Sequence, residues 1–152
     1  MSAGEAWDGQ PFTGAKLVAL APDGALLTYL RDDFDHLPWP GCWDLPGGGR
    51  EGDETPVETV LRELDEEFGL ALPPARLVWH HRRAAGALPG HYYGAHLTVA
   101  EIAAIRFGPE GQFWQLSPLD AFYDDPRTIP HQMQIVRAFA ASQRVGTGTS
   151  PR

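Results

Sequence analysis

Cysteine and lysine are almost missing from this chain: Cys42 and Lys16 are the only residues of their kinds among 152. A lone cysteine excludes an internal disulfide, and without a second thiol no zinc-site spacing forms with the six histidines. His80 and His81 are adjacent, so on a strand their side chains point to opposite faces and cannot share one metal. One lysine among twelve basic residues, at a formal net charge of -8, leaves no basic stripe to grip a long nucleic acid. It also excludes a Walker loop, because G-x-x-x-x-G-K-[ST] needs a lysine after its glycines. No apolar run approaches the roughly 18 residues that suggest a membrane span. The start, MSAGEAWDGQ, has neither the basic head nor the apolar core of a signal peptide. The expectation is a soluble, cytoplasmic protein without a membrane or large nucleic-acid partner.

What is present is enough for one domain: 43% of the residues are hydrophobic, and the length suits a single core over residues 1–152. Residues 1–10 and 146–152 read as loose tails. Apolar runs at 15–20 and 25–30 flank the turn signal Pro22-Asp23-Gly24, which predicts a β-hairpin. Further strands are predicted at 43–45, 76–81, 92–100, 104–107 and 112–116, separated by Pro- and Gly-containing segments. A helix over 131–142 follows Pro130 and places Met133, Val136, Phe139 and Ala140 on one side. Another starts at the capping box Thr55-Pro56-Val57-Glu58 and stops at Gly69. Strands before, between and after two helices imply an α/β layered domain with a mixed sheet.

The helix after Thr55 is unusually acidic. At about 100° per residue, Val57, Val60, Leu61, Leu64 and Phe68 share one arc, and Glu63, Glu66 and Glu67 share the next. Like charges at these spacings cost about 0.2–0.5 kcal/mol per pair. Arg62 can pair with Glu66 and Glu58 but cannot neutralise the set. A hard divalent cation such as magnesium would, since it takes carboxylate oxygens and leaves positions for water and phosphate. The plain alternative is a solvated acidic face. Gly47, Gly48 and Gly49 tilt the choice, because a glycine loop exposes backbone amides and carbonyls to phosphate or metal. The match of residues 47–52 to G-x-G-x-x-G is a decoy, since that fingerprint opens a helix directly and finds its acid on a later strand.

Gly48, five residues, Glu54, seven residues, then Arg62-Glu63-Leu64-Asp65-Glu66-Glu67-Phe68-Gly69-Leu70 resembles the Nudix box, G-x5-E-x7-R-E-U-x-E-E-x-G-U with U aliphatic, at every specified position. The resemblance implies an α/β/α sandwich around a mixed sheet and a metal-dependent pyrophosphohydrolase. Such an enzyme cleaves a diphosphate linkage in a nucleotide, or in a nucleoside diphosphate linked to another group. It implies that Glu63, Glu66, Glu67 and the Gly48 carbonyl hold Mg2+ or Mn2+, while Arg62 and Glu54 orient the carboxylates. Glu63 is one candidate general base. Glu110 is the other, because residues 108–114 resemble the loop after which many Nudix proteins carry a further glutamate. Gly47, Gly48, Gly49 and Arg50 are the expected phosphate contacts. Trp39, Trp43, Tyr92 and Tyr93 are candidates to stack on a base, and Arg31, Arg82 and Arg83 to hold phosphate. A catalytically silent Nudix domain that senses a nucleotide ligand is the alternative. The retained set of mutually repelling carboxylates argues for the enzyme. Exposed aromatics leave room for a homodimer.

Overall fold

The computed structural model describes residues 7–148, apart from residue 85. Its centre is a seven-stranded mixed sheet. β1 (Gly14–Leu20) and β2 (Leu26–Leu30) form the predicted hairpin, yet pair only at its closed end, Leu20 with Leu26. Farther out, β4 (Gly47–Gly49) pairs with β1 and β3 (Trp43–Asp44) pairs with β2, both antiparallel. On its other side β1 runs parallel to β6 (Gly90–His96), which pairs with the antiparallel β5 (Trp79–Arg83). β7 (Phe113–Ser117) closes the far flank, antiparallel to β2.

Both faces of the sheet are covered, as the near-continuous apolar strands require. On one face Leu17, Leu27 and Tyr93 pack against Val60, Leu64 and Phe68 of α1 (Pro56–Phe68). On the other, Val18, Leu20, Leu26 and Tyr92 meet Phe122 of α3 (Leu119–Asp124) and Ile135, Val136 and Phe139 of α4 (Pro130–Gly148). The result is the α/β/α sandwich expected from the resemblance. Gly94 of β6 lies under Phe139, where any Cβ would overlap the ring.

α1 begins as its sequence dictates. Thr55 accepts from the Glu58 amide, Glu58 accepts from the Thr55 amide, and Gly69 ends the helix in the left-handed conformation at φ 67°. Other expectations need correcting. The glycine run is strand β4, because β1 needs a backbone partner where β2 has left it. No strand occupies 104–107: Thr98 and Glu101 form a second capping box and start the short helix α2 (Val99–Ala103). Residues 105–108 then run irregularly back to α1, where Arg106 N–H donates to Phe68 O and Gly108 N–H to Glu67 O. The strand placed at 76–81 starts later, after a 3-10 turn over Pro74–Arg76. Of the expected tails, residues 1–6 and 149–152 lie outside the described residues. Residues 146–148 continue α4, and Trp7 packs edge-on against Phe12.

Candidate active site

Arg62 is the hub of the acidic face of α1. Its Nε donates to Glu54 Oε2 at 2.6 Å and its Nη2 to Glu54 Oε1 at 3.1 Å, a bidentate clamp, while Nη2 also reaches Gly49 O at 2.9 Å. Its Nη1 donates to Glu66 at 3.0 Å and Glu63 at 3.3 Å and lies 3.4 Å from Glu51. One cation thus serves four carboxylates, and the hydrogen bonds from Arg62 hold the Glu54 carboxyl down at about 2. The anticipated Arg62–Glu58 pair is replaced by Arg62–Glu54, since Glu58 is spent on the capping box.

Glu67 faces inward and is only 8% exposed. Its Oε1 accepts from the Gly47 amide at 2.8 Å, tying α1 to β4. Burial pushes its carboxyl up to about 8, against that hydrogen bond and the charge of Lys16, with Glu63 adding to the rise. Burial also raises Glu63, opposed by Arg62 and reinforced by Glu66. The Glu63 carboxylate lies against Gly48, where a side chain would overlap it. Glu63, Glu66 and Glu67 line a cleft of about 330 Å³ whose opposite wall is Gly108, Pro109 and Glu110. These acids share the cleft without converging: among the described residues no three carboxylate, imidazole or thiol groups are gathered as a ready-made metal site. Glu66 is drawn toward Arg62 and Glu67 toward Gly47.

The other expected contacts divide. The Gly48 carbonyl lies against Gly14 of β1. Gly48 and Gly49 border a separate groove of about 290 Å³ with Thr13, Lys16, Gly90 and His91. Arg50 donates to Glu54 O at 2.7 Å and stacks over Phe12, 4.7 Å from the ring centre. Trp43, Tyr92 and Tyr93 are buried, while Trp39 is 46% exposed and strained at φ 53°. His80 and His81 diverge as expected: His80 hydrogen-bonds His91 at 2.7 Å, and His81 stacks on Trp79.

Sequence reasoning missed Asp44. Buried where β1 and β2 part, its carboxylate accepts from Lys16 Nζ (3.0 Å), Arg31 Nη1 (2.9 Å), Tyr29 OH (3.3 Å) and Gln132 Nε2 (2.8 Å). These contacts keep its carboxyl low despite burial. Gln132 turns its amide to serve Asp44, which leaves Gln132 Oε1 buried without a hydrogen-bond partner among the described residues. The available signal was an acid in the short apolar strand Trp43–Asp44. Arg31 also lines a cleft of about 360 Å³ with Tyr29, Asp32, Phe34, His36 and Glu110, so Glu110 stands between two clefts.

The NUDIX domain family model matches residues 13–139. The chain belongs to the Nudix family. An RNA pyrophosphohydrolase of Xylella fastidiosa is 50% identical over 48 residues, 32% of this chain and 22% of that protein. The first curated relatives it matches are covered over less than a third of their length. Among solved structures, an Ap4A hydrolase of C. elegans superposes with a TM-score of 0.68 at 19% identity, over 86% of this chain and 97% of that one. A MutT NUDIX hydrolase of Burkholderia pseudomallei superposes with a TM-score of 0.58 at 28% identity, over 84% and 95%.

Proposed function

We propose that this protein is a divalent-metal-dependent pyrophosphohydrolase that cleaves a diphosphate linkage in a small nucleotide or nucleotide conjugate. The observation that carries the reading is the cleft between α1 and residues 108–110, where two carboxyls held above their ordinary range face a further glutamate. A protein keeps a crowded, partly buried acid set at a cost to stability, and a cation removes that cost. The donor set is all oxygen, which suits Mg2+ or Mn2+. Glu63, Glu66 and Glu67 would hold it; bound there, such an ion neutralises phosphate oxygens and lowers the pKa of water.

The chain's own residues do the rest. Arg62, clamped by Glu54, fixes the Glu63 and Glu66 carboxylates. Glu63 or Glu110 accepts the proton of the attacking water. Glu63 is hemmed in by Arg62 and Gly48, whereas Glu110 is exposed on the opposite wall. The named activities of the RNA pyrophosphohydrolase and the Ap4A hydrolase support a diphosphate-cleaving reaction on nucleotides. A screen with magnesium against dinucleoside polyphosphates, nucleotide sugars, ADP-ribose and nucleoside triphosphates tests it. Hydrolysis of at least one class, abolished by chelator, is expected; no turnover of any would sink the reading. In the same assay, Glu110→Gln and Glu63→Gln separate the two bases. The true base loses kcat with a modest change in KM.

A further inference from the structure

Glu110 owes its place to its neighbours rather than to its own carboxylate, which has no hydrogen bond or ion pair among the described residues. The segment that carries it is pinned on both sides. Before it, Gly108 N–H donates to Glu67 O at 2.8 Å. After it, Gln112 N–H donates to Leu30 O at 2.8 Å, and Gln112 Nε2 to Arg31 O at 2.9 Å. The tether nearest to Glu110 comes from a side chain: Asp32 Oδ2 accepts from the Gly111 amide at 3.1 Å. Gly111 is at φ 83°, and a Cβ there would press on Tyr29 and Phe107 at 2.9 and 3.1 Å, so this conformation needs glycine. Asp32 is itself seated, its carbonyl accepting from the Gly41 amide at 3.1 Å.

We propose that Asp32 is a positioning residue for the reaction, holding Glu110 at the acid cleft through the Gly111 amide; this rests on the hydrolase reading above. Asp32 touches neither the α1 carboxylates nor their cleft. Its contribution is to stop residues 109–111 from swinging Glu110 toward the neighbouring cleft, which Glu110 also borders. Displacing a reacting group by about 1 Å costs up to 100-fold in rate, so the tether acts on kcat more than on binding.

The test compares Asp32→Ala, Asp32→Asn, Glu110→Gln and the double variant Asp32→Ala/Glu110→Gln on the best substrate from the screen, with thermal melts to confirm folding. Asp32→Ala should lower kcat roughly 10-fold with KM within about twofold. Asp32→Asn, which keeps an acceptor oxygen, should restore most of it. The double variant should be no slower than Glu110→Gln alone, because the tether has nothing left to position. Wild-type kcat in Asp32→Ala or in Glu110→Gln, an unrescued Asn variant, or multiplicative losses in the double variant would each overturn the proposal while leaving the hydrolase reading standing. Absence of turnover in the wild type would remove both.

Discussion

Glu67 carries two duties with one side chain. Its Oε1 is a strut that accepts from the Gly47 amide, and its charge belongs to the proposed metal set. Glu67→Gln separates them, because an amide oxygen can still accept from Gly47. The variant should fold normally and lose about two orders of magnitude in turnover; wild-type rates in the substrate screen would show that the charge is dispensable. Acid and base act on stability through different residues. Glu67 titrates at about 8 in the fold against 4.5 ordinarily, so in chelator the native state keeps a proton that the unfolded chain has lost. Its contribution is full below about pH 4.5 and is lost as pH rises toward 8. His91 behaves oppositely: burial, then His80, holds it down at about 4 against 6.5. Its contribution is full above about pH 6.5 and is lost as pH falls toward 4. Melts across this range in chelator should therefore find Glu67→Gln gaining most at the alkaline end and His91→Gln falling least at the acid end. Parallel curves for wild type and variants would show that neither group is perturbed.

Among elements, α1 was legible because everything that defines it lies within one short stretch: cap, apolar arc, acidic arc and terminal glycine. β4 was not. Three glycines offer no side-chain alternation, and their strand pairing is imposed by the open flank of β1. The strand expected at 104–107 does not form, and its apolar side chains include Ile105 and Phe107. Those rings and chains pack near Phe68 as part of the α1 core cluster without a ladder. The same locality explains the site: the box residues were found together, whereas Lys16, Arg31, Asp44 and Gln132 meet only in the fold. α1 also allows a test of its acidic arc. Once pH rises above about 8, where Glu67 has lost its proton, Glu63 repels both Glu66 and Glu67, so Glu63→Gln should there stabilise the metal-free protein by about 0.4–1 kcal/mol, the sum of two like-charge helix pairs. That is a rise of a few degrees at most in Tm. Millimolar magnesium should reverse the ranking, because the wild type binds the ion more tightly and gains more from it. A variant that melts lower than wild type in chelator would mean that the Arg62 contact outweighs the repulsion.

At the scale of the whole molecule, the sheet is opened and closed around Asp44. One buried carboxylate joins β3 to β1 through Lys16, to Tyr29 and Arg31 on and beside β2, and to α4 through Gln132. Removing it strands two cations and a buried amide, so Asp44→Ala should cost about 3–5 kcal/mol in denaturant unfolding at neutral pH. A loss under 1 kcal/mol would mean that Lys16 and Arg31 simply turn to water. No helix among the described residues is long and apolar enough to cross a membrane.

The parallel pairing of β1 with β6 sets a timetable for synthesis. Ala15 finds its partner His91 only 76 residues later in the chain. At about 5–20 residues per second, a ribosome needs roughly 4–15 s to supply that partner. During this wait β1 has its hairpin contact with β2, the three glycines of β4 and, once it has emerged, α1 to lean on, while the edge of Leu17-Val18-Ala19-Leu20 that β6 later covers lies open. The nascent chain is therefore most vulnerable to edge-to-edge association after α1 has emerged and before β6 has, an interval in which a chaperone that shields extended apolar segments would have its greatest effect on yield.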